Sequence, residues 1–295
     1  MRASARIVGV AIVVLAGMAG GIWSAALNED PRGILKVSFL DIGQGDAILI
    51  QSPSGATALI DGGPGAGVLR QLSAQLPWYQ HSLDLVIATH PDVDHIAGLI
   101  DVLGRYKVEY IVQSSVLGIT PTWKTLEETI AGAAAKGGRV ITAERGQIID
   151  LGGTPLSPDS PHAYLEVLSP DREVQRVDTN DGCVVTKLIY GSTSFMLPCD
   201  APQNIEDYLV YLDGKQLHSD VLKAGHHGSK TSSSLLFVGF VSPSYVVYSR
   251  GCNNKYGFPH EQTMATMKQL GIPTLDTCLD GTITFESDGQ KVQLK

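Results

Sequence analysis

Residues 90–95 read HPDVDH, so His90, Asp92, Asp94 and His95 put four potential metal ligands into six consecutive positions. The whole chain has only eight histidines. Ahead of them LDLVIAT (83–89) is a continuous apolar run, the pattern of a strand buried on both faces. After them HIAGLIDVLGRY carries apolar residues at 96, 99, 100 and 103, a helical stripe. The turn therefore sits at the carboxyl end of a strand, where ligands collect in mixed α/β folds. His90 and Asp92 share one alternation, whereas Asp94 and His95 follow the bend and can face a second centre. Metal pairs ~3.5–4 Å apart serve phosphatases and nucleases. The plainer alternative is that Asp92 or Asp94 caps the helix. It leaves both histidines and the other aspartate unexplained.

Three more stretches end a strand in a chemically capable residue. Asp200 follows the apolar strand of SFMLPCDAP and could bridge two cations through its two oxygens; alone it is equally an ordinary turn residue before Pro202. In VLKAGHHGSKTSSS, His226 and His227 come directly after a strand, as ligands or as a solvated turn. Asp61, in ALIDGG, suits a carboxylate that orients a ligand histidine, or one that stabilises a Gly-rich loop. The combination carries the argument, because several strand ends can converge on one edge.

The elements that must position these residues are legible in outline. ILKVSFL (34–40), DAILIQS (46–52) and TALI (57–60), joined by Gly-containing turns, read as an antiparallel meander. VLRQLSAQL has helical spacing, and VEYIVQSS reads as a strand. TPTWKTLEETIAGAAAKGG predicts a helix capped by Thr120, with Pro121 at its first position and Gly137 at its end. Residues 146–162 are turn-rich. Strands are expected at AYLEVLS, CVVTKLIYG, TSFMLP, DVLKAG (220–225) and YVVYS (245–249), then at GTITFES and KVQLK. Helices are expected at 203–213, from about 233, and at 261–270. Meanders interleaved with helices argue for an α/β fold of two sheets between helices, in one domain over residues 34–295.

The N-terminus reads differently. Arg2 and Arg6 precede an uncharged run from Ile7 to Asn28, which reaches the ~20 apolar residues that cross a bilayer. Trp23 lies near its far end, and Glu29 and Asp30 follow. Positive charge before the run and acid after it place the bulk of the chain outside the cytoplasm. Residues 1–28 are expected to be a signal anchor, with 7–27 as the membrane segment, or a signal peptide cleaved near Ala26 at Ser24-Ala25-Ala26. Residues 29–33 form a short linker. The net charge of −8 argues against broad electrostatic binding of nucleic acid. Cys183, Cys199, Cys252 and Cys278 show no metal-ribbon spacing, and the favoured expectation is small buried thiols rather than disulfides.

Taken together, VSFLDIGQGDAILIQSPSG, ALIDGG, THPDVDHIAGL, LPCD, VLKAGHHGSKTSSS and NNKYGFPH resemble the metallo-β-lactamase superfamily. More narrowly they resemble the extracytoplasmic domain of the ComEC competence proteins of DNA uptake and its stand-alone relatives. The motifs span residues 37 to 260. The resemblance implies an αββα sandwich around a two-metal centre. By position, His90 and Asp92 would hold the first ion, Asp94, His95 and His227 the second, and Asp200 would bridge them. Asp61 would support the turn. His226 and His260 would serve as proton donors or substrate contacts, with Ser229 and Lys230 toward a phosphate.

Asp92 stands where the wider superfamily has His, which hardens the site and makes Mn²⁺ a competitor of Zn²⁺. LPCD replaces the usual Thr-Gly-Asp lead-in, and Phe258 stands where relatives often carry His. The first ion has no strong third protein ligand, Asp181 being the nearest candidate, so the filling of that site stays open. The expected function is a metal-dependent hydrolase, a phosphodiesterase or nuclease acting through metal-bound hydroxide. Its expected substrate is single-stranded DNA or a cell-envelope phosphoester. The alternatives are a membrane-tethered binding module with a degenerate metal site and a β-lactam hydrolase.

Overall fold

The apolar run ahead of His90 forms a strand covered on both faces, as its composition requires. The structure is a computed structural model that describes residues 12–21, 33–153, 161–172, 174 and 177–295. Strands β1 (Leu35–Phe39), β2 (Ile48–Gln51), β3 (Thr57–Ile60), β4 (Ser82–Ala88), β5 (Lys107–Gln113) and β6 (Arg139–Thr142) belong to one sheet. Strands β7 (Ile148–Gly153), β8 (His162–Ser169), β9 (Val185–Tyr190), β10 (Thr193–Leu197), β11 (Val221–Lys223), β12 (Tyr245–Tyr248) and β13 (Thr274–Asp276) make the second. The closing strands β14 (Ile283–Ser287) and β15 (Val292–Leu294) return to the first, where β14 pairs antiparallel with β1.

Helices cover the outer faces: α2 (Gly67–Gln75), α3 (Val93–Arg105) and α4 (Pro121–Ala135) on the first sheet, α5 (Gln203–Asp213), α6 (Leu235–Val241) and α7 (Glu261–Leu270) on the second. Strand alternation divides the core accordingly. Ile48, Ile50, Ile60, Leu85 and Ile87 face the second sheet, while Leu49, Leu59 and Val86 face Leu72, Ile96, Leu99 and Val102 of the helices. Between the sheets, Phe285 meets Phe39 at 6.2 Å and Phe195 at 6.1 Å between ring centroids, both edge-on. Each such buried aromatic contributes about 1.5–3 kcal/mol through area alone. The αββα sandwich is thus observed.

Strand direction gathers the site. β1, β2 and β3 form the expected antiparallel meander, but β3 to β6 run parallel, with the helices as crossovers. β10 to β13 are also parallel. The carboxyl ends of β3, β4, β10, β11 and β12 therefore open on one edge, just before Asp61, His90, Asp200, His226 and Arg250.

Several boundaries differ from the sequence expectation. The stretch 146–162 carries β7, an irregular strand whose register shifts between Asp150 and Gly153 and whose glycines mask its pattern. The exposed strand β6, on the edge of its sheet, offers no alternation to read. The Thr120 cap is present, its side chain accepting from the Trp123 amide at 3.1 Å. Cys252 and Cys278 form a disulfide, contrary to the expectation of thiols, while Cys183 and Cys199 are free and buried. Folding brings the first pair's Cα atoms to 4.9 Å across a separation of 26 residues, a proximity that spacing does not reveal.

Residues 12–21 are helical and exposed (α1), and among the described residues no helix is long and apolar enough to cross a membrane. The expected membrane segment, 7–27, lies partly outside the described residues, as do the cleavage site at Ala26 and much of the linker.

Candidate metal centre

Two close backbone approaches set the HPDVDH turn. The DGG loop after β3 packs against α3, with the Gly62 amide donating to the His95 carbonyl at 2.7 Å and the Gly98 amide to the Gly63 carbonyl at 2.9 Å. A Cβ on Gly98 would lie 1.9 Å from the Gly62 carbonyl oxygen, so only glycine fits. On the other side a Cβ on Gly45 would lie 2.0 Å from the Asp94 carbonyl oxygen, which pins the GQGD loop and brings in Asp46. Asp92 does precede α3, but its side chain makes no capping bond. Its Oδ2 lies 3.7 Å from His90 Nε2 instead, and the helix-cap alternative for Asp92 therefore fails.

Each buried histidine is oriented from behind. Asp61 accepts from the Thr89 amide at 2.9 Å, the Thr89 hydroxyl at 2.7 Å and His95 Nδ1 at 2.7 Å. With its proton on Asp61, the Thr89 hydroxyl accepts from His90 Nδ1 at 3.0 Å. His227 Nδ1 donates to the Ser249 carbonyl at 2.9 Å. This network occupies each Nδ1 from behind, and among the described residues Nε2 of His90, His95 and His227 has no hydrogen-bond partner. Three orphaned buried nitrogens are costly unless something electrophilic meets them.

Two of them, on His95 and His227, converge with His226 on one carboxylate oxygen. Asp200 Oδ2 lies 3.3 Å from His95 Nε2, 3.4 Å from His227 Nε2 and 3.7 Å from His226 Nε2. Asp94 Oδ2 lies 3.4 Å from His227 Nε2. Ligands placed tetrahedrally ~2.1 Å from one ion sit roughly 3.4 Å from one another. The donors thus fit a divalent ion, with neutral imidazoles and ionised carboxylates facing it. Asp94, His95, His227 and Asp200 could hold one ion, and His90 with Asp92 a neighbouring one.

Behind these groups lies a pair the sequence reading missed. Lys223, fully buried on β11, pairs with Asp46 and stands 3.3 Å from Asp200 Oδ1. Burial disfavours the charge on Asp46, yet Lys223 and His227 outweigh it and hold its pKa down to about 2. Burial likewise opposes the Lys223 charge, and Asp46 and Asp200 restore it. Asp46 faces the Nδ1 side of His227 at 3.3 Å, so it supports that ring rather than sharing its free nitrogen. A lysine and an aspartate inside apolar runs were the available signal, since neither is buried without a partner.

Cys199 Sγ lies 3.2 Å from His90 Nδ1 and 3.0 Å from the Thr89 hydroxyl. That is the rear of the His90 ring. Burial, followed by Cys183, pushes its thiol pKa well up, so it stays protonated as a packing group. Asp181 accepts from Asn204 at 3.3 Å on a half-buried turn and shows no contact with His90 or Asp92. His226 is at the mouth, and His260 Nδ1 accepts from the Lys230 amide at 2.9 Å, bracing that loop while the Lys230 side chain stays exposed. The Ser229 hydroxyl is buried and bonded to Thr231 at 2.9 Å, which makes it a loop residue here.

His226 and His227 both adopt left-handed backbone, φ 47° and 56°. Each such residue costs about 1–2 kcal/mol, so the loop needs a brace. Glu206 on α5, fully buried, accepts from the Ser233 amide at 2.5 Å and the Ser234 amide at 2.9 Å, and the Ser233 hydroxyl accepts from the Gly225 amide at 2.9 Å. Burial pushes the Glu206 carboxyl up from 4.5 to about 7, against the two donors. The native state then binds this proton more tightly than the unfolded chain. Its stabilising share is complete below about pH 4.5 and is lost as pH rises to about 7, a swing of roughly 3 kcal/mol. Glu206→Gln should lack that swing. The stability gap between wild type and variant, read from urea melts, is expected to narrow from pH 4.5 to 7; a constant gap would refute it.

Residues 40–243 match the metallo-beta-lactamase superfamily, and the chain belongs to it. Its domain is of the ComEC-like kind. It is 29% identical over 275 residues to ComE operon protein 3 of Bacillus subtilis, covering 85% of this chain and 33% of that protein. It is 30% identical over 265 residues to Recombination protein 2 of Haemophilus influenzae, covering 88% of this chain and 30% of that protein. The chain thus spans about a third of the length of these curated relatives. Among solved structures, CmlA, a diiron β-hydroxylase from Streptomyces venezuelae, superposes with a TM-score of 0.51 at 14% identity, over 82% of this chain and 52% of CmlA. That likeness concerns the fold alone.

Proposed function

We propose that the chain is a metal-dependent phosphodiesterase that cleaves single-stranded DNA outside the cytoplasm. One observation carries the hydrolase reading: three buried imidazoles with unpartnered Nε2 atoms, two of them within 3.4 Å of Asp200 Oδ2. His90 and Asp92 would hold one divalent ion, Asp94, His95 and His227 the other, with Asp200 between them. The mixed carboxylate and imidazole set suits Zn²⁺ or Mn²⁺. Bound there, two ions would lower the pKa of a water toward neutrality and screen the charge of a phosphodiester.

The chain's own groups do the rest. His226, with 27% of its side chain exposed, presents Nε2 at the mouth and carries a proton to the leaving oxygen. Lys230, anchored through its amide to His260, offers its ammonium to a non-bridging phosphate oxygen. The names of the relatives, competence and recombination proteins, support DNA over other phosphoesters. The Cys252–Cys278 disulfide supports an oxidising compartment, as anchoring or export by the N-terminal segment would provide.

Metal analysis run alongside activity tests the proposal. The protein is expected to bind two equivalents of Zn²⁺ or Mn²⁺ and to hydrolyse bis-p-nitrophenyl phosphate and single-stranded DNA. Chelation should stop both reactions, and added metal should restore them. Metal-free protein would favour a binding module instead, and a preference for a β-lactam would remove the phosphodiesterase reading.

A further inference from the structure

A net charge of −8 gives this chain little general attraction for a polyanion, so a strand must be held at the site largely by something other than phosphate contacts. The loop after β12 supplies it. Tyr256, 48% exposed, stacks on Phe258 with ring centroids 5.3 Å apart and planes 17° from parallel. Phe258, 8% exposed, touches His226 at 5.5 Å and His227 at 6.0 Å between centroids. The two rings thus form a stair from solvent to the candidate metal centre. Lys255 Nζ lies 5.2 Å from the Tyr256 centroid.

The loop is built to hold these rings still. Asn254 Oδ1 accepts from the Phe258 amide at 2.8 Å, and its Nδ2 donates to the carbonyls of Gly251 and Phe258, both at 2.9 Å. The Cys252–Cys278 disulfide fixes its start. A half-exposed aromatic held rigid loses little entropy when a planar group stacks on it. Every base has a π face, so such a platform accepts unpaired bases without reading their sequence.

We propose that Tyr256, stacked on Phe258, is a base-stacking platform that seats an unpaired nucleobase next to the phosphodiester at the metal centre, with Lys255 on the adjoining phosphate. The proposal rests on the phosphodiesterase reading for its substrate, and it makes Tyr256 a specificity residue rather than a catalytic one. Paired bases are stacked on each other and do not reach the ring, so the platform selects single strands.

The test uses the full chain loaded with Zn²⁺ or Mn²⁺ and two labelled, cleavage-resistant phosphorothioate oligomers of equal length, one of thymidylate and one abasic. Fluorescence anisotropy should show wild type binding the thymidylate oligomer about ten-fold more tightly or better, the scale of one stacked base. Tyr256→Ala should bring the two oligomers within about two-fold of each other, and Tyr256→Phe should keep the preference. A preference that survives in Tyr256→Ala, or its absence in wild type, overturns the platform. The same preparations are assayed on bis-p-nitrophenyl phosphate. No turnover together with a Tyr256-dependent base preference upholds the platform and removes the phosphodiesterase reading. Turnover without such a preference overturns the platform and leaves that reading in place.

Discussion

Alanine at both Asp94 and His95 is expected to lower kcat/KM for a phosphodiester on the order of a thousand-fold or more, about 4 kcal/mol of transition-state stabilisation. Bound metal should fall from two equivalents to one or fewer. Both residues lie in the first turn of α3, and their donor atoms stand 3.4 Å from His227 and 3.3 Å from Asp200 respectively. Removing them takes two ligands from one ion while leaving the backbone of the turn intact. The Asp46 and Gly62 amides donate to the carbonyls of 94 and 95, which alanine retains. Asp61 loses His95 but keeps both bonds from Thr89. Circular dichroism should therefore match wild type, and Asp94→Asn, which keeps shape and loses charge, should fall on the same side. Activity within ten-fold of wild type in a folded double variant would remove these residues from the chemistry.

What the sequence revealed of this site is the part written locally. Continuous apolar strand runs stop abruptly, and Asp61, His90, Asp200 and His226-His227 stand where they stop. Parallel strands with helical crossovers then put those ends on one edge, which is why motifs separated by 26 to 110 residues could be read as one site. The helix at 121–135 was equally legible, because Thr120 and Pro121 carry its start in adjacent residues. The rest depends on contacts between distant segments. The disulfide pairs the loop after β12 with α8 (Thr277–Asp280). Cys199 stands behind His90 only because β10 and β4, in different sheets, end side by side. Glu206 looks like any acid in the first turn of a helix until α5 packs on α6 and closes water off from it. Single residues announce a local turn; a buried partner across the sandwich has no local mark.

Lys223 is the sharpest such case, and Lys223→Met is expected to destabilise the metal-free protein by about 3–5 kcal/mol. The methionine fills the same space in β11, so packing changes little, and the loss is electrostatic. Asp46, 2% exposed, loses its cation, and Asp200, 3% exposed, loses the partner of Oδ1. Two buried carboxylates are then left close to Asp94 and Asp61 with only imidazoles to offset them. Pairing Lys223→Met with Asp46→Asn removes both charges of the rear pair, and the double variant should recover a large part of the loss. Urea melts of wild type, both single variants and the double variant at neutral pH give the coupling energy directly. Raised salt should leave it nearly unchanged, because ions do not reach a pair with the lysine fully buried. Hydrolysis should drop as well, by about 10–100-fold, since a freed Asp200 Oδ1 lets that carboxylate rotate away from His95 and His227. A Lys223→Met protein as stable as wild type would show that Asp46 and Asp200 do not need the ammonium. The centre would then be organised by its histidines alone.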